Sequence, residues 1–170
     1  MHKLLLIAAI ILLNYVFAAQ SWTFSEDGVE YVLQLPSATW QVVSRVDVHP
    51  HREFMNGRDE AQGYLRLRKI VVTSTATPSE VFQRNEKFEL QSLPGYVLCS
   101  GGKGETFEGN FKGQVFSYEY VNSGHQMEGR IYYLQVNNRT FYRPHFTVAR
   151  ENISGAREQM DFIAKSFRLK

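Results

Sequence analysis

The run from Gln114 to Val148 constrains the fold more than any other part of the chain. It reads as three strands in close succession, "QVFSYEYV", "MEGRIYYLQV" and "TFYRPHFTV", linked by "NSGH" and "NNR". Short polar links between alternating apolar runs are hairpin signals. With both turns tight, Phe116, Tyr118, Tyr120, Ile131, Tyr133, Tyr142 and Phe146 share one face. Val115, Val121, Tyr132, Leu134, Val136 and Phe141 share the other. An antiparallel sheet wetted on one side alternates apolar with polar residues. Here both faces are apolar, so both need cover. A two-residue turn at Ser123-Gly124 also sets Glu119 opposite Glu128, a like-charge pair that is disfavoured. A bulge or a shifted register would relieve it.

Two segments can supply helical cover. In "TPSEVFQRNEKFELQSLPGY", Thr77 is an N-cap, Pro78 fits the first helical position and Glu80 completes a capping box. Val81, Phe82, Phe88 and Leu93 form its apolar stripe, and Pro94-Gly95 stops it. At the other end of the chain, Ala156, Met160, Ile163, Ala164 and Phe167 recur at helical spacing, with Ser154 as N-cap. Earlier strands are read at "SWTF", "VEYVLQL", "ATWQVVSRVDV" and "GYLRLRKIVVT". In the last of these, Leu65, Leu67 and Val71 point one way while Arg66 and Arg68 point the other. The glycine-rich "SGGKGETFEGNFKG" reads as a flexible loop. These elements predict an α+β domain: a three-layer α/β/α sandwich around a central, mostly antiparallel sheet.

The first residues have a different purpose. Lys3 precedes an apolar run from Leu4 to Leu13, and small residues follow at Ala18 and Ala19. This is the pattern of a secretory signal peptide, and the run is about half of the ~20 residues a membrane-spanning helix needs. Residues 1–19 are therefore expected to be removed. Residues 20–170 would form one domain, periplasmic or secreted, with no membrane span in the mature chain. The formal net charge is +2, with cations and anions interspersed. A basic face of the kind that binds nucleic acid is not suggested. The single cysteine, Cys99, ends an apolar run and reads as a small buried hydrophobe rather than a nucleophile.

Few patterns point to chemistry. In "VDVHPHREF", Asp47, His49, His51 and Glu53 fall at every second position, which on an extended chain puts them on one face. Such spacing can meet a metal ion, but a catalytic metal needs further ligands and an open position. Pro50 interrupts the extended geometry, so the stretch reads as a strand end entering a surface loop. Glu53 is then one of several solvated loop carboxylates. Tyr64, Arg66 and Arg68 could form an exposed recognition strip, a weak candidate for ligand binding. There is no phosphate-binding glycine loop, no nucleophile turn and no zinc motif. No cofactor is expected.

The order of elements resembles the DcrB/PsbP-like proteins of the Mog1/PsbP-like fold. The segments that carry the resemblance are "YVLQLPSATWQVV", "TPSEVFQRNEKFELQSLPGYVL", "GRIYYLQVNNRTFYRPHFTV" and "QMDFIAKSFRL". The resemblance implies an α/β/α sandwich that serves as a non-catalytic accessory or binding module, and it transfers no catalytic residue. The functional expectation is an exported binding module for an unidentified envelope protein or small ligand. The alternative is a metal-binding protein or metal-dependent hydrolase centred on His49 and His51. A purely structural envelope component is a third reading.

Overall fold

The computed structural model describes residues 21–43, 51–107 and 110–170. The expected signal segment lies outside them, as do Asp47 and His49. The chain order is β1 (Trp22–Phe24), β2 (Tyr31–Leu35), β3 (Trp40–Val43), β4 (His51–Asn56), β5 (Tyr64–Val71), α1 (Pro78–Asn85) and a π-helical turn (Glu86–Leu90). Then come β6 (Val97–Thr106), β7 (Lys112–Asn122), β8 (His125–Gln135), β9 (Thr140–Ala149), α2 (Ile153–Lys165) and β10 (Arg168–Leu169). Seven strands form one antiparallel sheet in the order β3-β4-β5-β9-β8-β7-β6, and β1, β2 and β10 form a small second sheet.

The meander is as tightly turned between β7 and β8 as the sequence suggests. Ser123 and Gly124 both take positive φ, 51° and 83°, the backbone of the turn that matches strand twist. Glu119 does face Glu128. The relief is not a bulge: each carboxylate has its own arginine, Arg150 on Glu119 at 2.8 Å and Arg157 on Glu128 at 2.8 Å.

The turn into β9 is longer. Gln135 pairs with Phe141, and Asn137 Oδ1 accepts from the backbone N–H of Arg139 and Thr140. A one-residue difference in a hairpin reverses the faces of the strand that follows. Tyr142 and Phe146 therefore join Val115, Tyr132 and Leu134 on one face, and Phe141 joins Phe116, Ile131 and Tyr133 on the other.

Both faces are covered, by different means. The first carries α2, which buries Ala156, Met160, Ile163 and Ala164, together with the small sheet. Asp161 anchors α2 by accepting from Arg130 at 2.9 Å and from the Tyr132 hydroxyl. Asn152 rather than Ser154 stands at the N-cap position, and Ser154 lies inside the first turn.

The second face carries α1. The capping box is present: Glu80 N–H donates to Thr77 Oγ1, and Thr77 N–H donates to Glu80 Oε2. Val81 and Phe82 are buried, with the Phe82 ring stacked on Phe116 at 3.8 Å. After Asn85 the helix widens into the π turn. The extra residue rotates the inward face, so Leu90 is buried and Phe88 is 76% exposed. The stripe read through Phe88 is corrected by that insertion.

Leu65 and Leu67 are buried, and Val71, on the same side of β5, is exposed at its end. Two smaller expectations are corrected. The glycine-rich stretch is largely strand: β6 runs through it with two register breaks against β7. Cys99 lies on this edge strand and is exposed rather than buried.

Candidate functional site

The short α1 packs on β7 and β8, and the π turn after it sets Glu89 against Arg68 and Arg143 on the β5–β9 part of the same face. Strand pairing sets the side chains there in rows. His51, Arg68 and Arg143 stand side by side across β4, β5 and β9. Glu53, Arg66 and His145 form the next row, and Met55, Tyr64 and Thr147 the one after. Tyr64, Arg66 and Arg68 thus share a face, as their spacing predicts, but it is not the exposed strip expected: Tyr64 is buried and both arginines are half-buried. Together with His145, Thr147 and Tyr118 they line a groove of about 510 Å³. Glu89, Leu90 and Leu93, from the π turn and the segment after it, form its wall, and Tyr120 and Glu60 lie at its far end.

Glu53 is not a loop carboxylate. It lies in β4 and is 3% exposed. Burying a carboxylate is tolerable only with charged or hydrogen-bonding partners. Arg66 Nε donates to Glu53 Oε1 at 3.0 Å, and His51 Nε2 lies 3.2 Å from the same oxygen. Arg66 also donates to the Tyr64 hydroxyl at 3.3 Å. Burial and a hydrogen bond to Glu53 push that hydroxyl up to about 12. His51 and Glu53 share a face, as read. The carboxylate is already held by a guanidinium, the wrong neighbour for a cation. Among the described residues no group of three or more His, Cys, Asp or Glu side chains could hold a metal ion.

His145 is the residue that sequence reading left in the background. Its Nε2 lies 2.6 Å from the Tyr118 hydroxyl, on β7, two strands away. The reach depends on Gly129, which sits between them in β8 and pairs with Tyr118. A Cβ on Gly129 would lie 2.1 Å from the Tyr118 ring. The missing side chain is the space through which the tyrosine crosses the sheet. A glycine in mid-strand, as in "MEGRIYY", is the signal that could have pointed here.

Burial, reinforced by Arg143, Arg66 and Arg68, holds His145 well below the ordinary histidine value. Burial also lowers His51, with Glu53 opposing it. The unfolded chain takes up these protons near pH ~6.5, while the folded chain resists them. The unfolded state therefore binds more protons below that pH, and stability falls as pH drops. For His145 the loss approaches ~1.4 kcal/mol per pH unit. Urea midpoints measured from pH 7.5 to 5 should fall, and should fall less in His145→Gln. An equally steep fall in the variant would show that His145 does not carry the effect.

The fold has counterparts of known structure. LpqN of Mycobacterium tuberculosis, described as involved in cell envelope biogenesis, superposes with a TM-score of 0.59 at 15% identity, over 89% of this chain and 91% of that one. Cyanobacterial PsbP from Synechocystis sp. PCC 6803 gives 0.60 at 15% identity, over 89% and 94%. The Ran-binding protein Mog1p of Saccharomyces cerevisiae gives 0.60 at 10% identity, over 88% and 95%. The chain has the Mog1/PsbP fold. No protein-family model and no curated protein sequence matches it. At these identities the likeness extends to the Mog1/PsbP architecture and carries no site residue across.

Proposed function

We propose that this chain is an exported, non-catalytic binding module that holds its ligand in the groove beside Arg66 and Arg68. The observation that carries the reading is the recess itself. It is about 510 Å³ in volume, with polar groups converging from β5 and β9 opposite an apolar wall at Leu90 and Leu93. Ligand sites commonly fall at ~300–1,000 Å³ and combine apolar walls with a few placed polar groups. Among solved proteins of this fold, Mog1p is a Ran-binding protein and LpqN is involved in cell envelope biogenesis. Export rests on the apolar run from Leu4 to Leu13 and the small residues after it. The metal reading centred on His49 and His51 has less support, because Glu53 is engaged by Arg66.

The groove is tested by screening small fragments of mixed charge against isotope-labelled protein. Amide shifts should cluster at Arg66, Arg68, Tyr120 and Thr147, and Thr147→Trp, which fills the recess, should remove them. Shifts that cluster elsewhere, or that survive Thr147→Trp, would overturn the reading.

A further inference from the structure

The groove is not evenly satisfied. Arg66 donates to Glu53 and Tyr64, and Arg143, 3% exposed, donates to Glu89 at 2.9 Å. Arg68 makes no side-chain hydrogen bond among the described residues. Its one ion-pair contact there is with Glu89 Oε1 at 3.6 Å, beyond hydrogen-bonding distance. Its side chain is 34% exposed and lines the groove. Arg68 also stands directly opposite Arg143 in the sheet, a like-charge pair that is unfavourable. Burial and Arg143 together lower the Arg68 pKa, with Glu89 opposing them. Around the groove three guanidiniums, Arg66, Arg68 and Arg143, are matched by three carboxylates, Glu53, Glu89 and Glu60, and His145 adds no charge while neutral. An anion arriving at Arg68 meets a guanidinium whose side chain makes no hydrogen bond among the described residues.

We propose that the groove takes a small organic carboxylate, its carboxylate received by Arg68 and its apolar body lying along Leu90 and Leu93. This rests on the groove being the ligand site. A planar monoanion matches one guanidinium through two parallel hydrogen bonds. A phosphate dianion would set a second negative charge against Glu89 and Glu60 in a groove whose own charges balance. The internal carboxylate of Glu89 competes weakly for the same fork, so neutralising it should strengthen binding.

The test uses 4-phenylbutyrate, its uncharged amide 4-phenylbutyramide, and inorganic phosphate, titrated into the protein and followed by amide shifts in the groove. The carboxylate should bind at least tenfold more tightly than the amide. Arg68→Gln should weaken it at least tenfold, and Glu89→Gln should tighten it severalfold. Arg68 makes no side-chain hydrogen bond among the described residues, so its variant should fold, and an unchanged melting temperature checks this. Equal binding of carboxylate and amide, indifference to both variants, or preference for phosphate would overturn the proposal while leaving the groove as a site. If none of these probes and no fragment of any charge shifts groove residues, both readings fall.

Discussion

Replacing Phe167 with alanine should destabilise the fold by about 3–5 kcal/mol, the range for emptying a large aromatic site in a core. Phe167 is fully buried just after α2. Its ring lies 4.7 Å from Tyr142 and 5.6 Å from Tyr31, with Phe111 at 6.1 Å. It ties the C-terminal helix, the small sheet and the central sheet together in one contact set. Partial collapse is hindered because its neighbours are themselves rings fixed in β2 and β9. Urea unfolding of Phe167→Ala measures the loss directly. A change below ~1.5 kcal/mol would mean that the site closes over, and that the helix docks chiefly through Met160 and Ile163.

Gly129→Ala should cost about 3 kcal/mol, large for one added methyl. The new Cβ would meet the hydroxyl-bearing edge of the Tyr118 ring at 2.1 Å, far inside van der Waals contact. Tyr118 is 1% exposed and has nowhere to go without leaving the core and His145. Overpacking of this kind costs ~1–3 kcal/mol, and a lost hydrogen bond adds ~1 kcal/mol. The control is a double-mutant cycle with Tyr118→Ala. Once the ring is gone, Gly129→Ala should be nearly neutral, giving a coupling of at least ~2 kcal/mol. Additive losses would show that the glycine is needed for some reason other than passage of the tyrosine.

Much of the architecture was legible because it rests on local rules. The doubly apolar meander demanded cover on both faces, the Thr77–Glu80 capping box marked where α1 starts, and Ser123-Gly124 gave the β7–β8 register. Two of the failures share a cause: each depends on one residue of phase. The three-residue step at Asn137 exchanged the faces of β9. The π turn moved Phe88 outward and Leu90 inward.

For the groove, sequence reading found the strip of Tyr64, Arg66 and Arg68, because alternation alone puts them on one face. It missed what they face. His145, Tyr118 and Glu89 come from three other segments, and no spacing within β5 predicts them. Glu53 is read as a loop residue because Pro50 interrupts an extended strand, whereas it lies within β4 and aims its carboxylate at Arg66.

The two faces of the sheet are unequally insured. One is backed by a thirteen-residue helix and a second sheet, the other by an eight-residue helix and a single widened turn. A fluctuation that lifts the thinner layer uncovers the smaller of the two buried clusters, the one around Phe82, Phe116 and Tyr133, and leaves the larger one intact. Opening at the Glu89 wall would then be a local event, less costly than unfolding the whole chain.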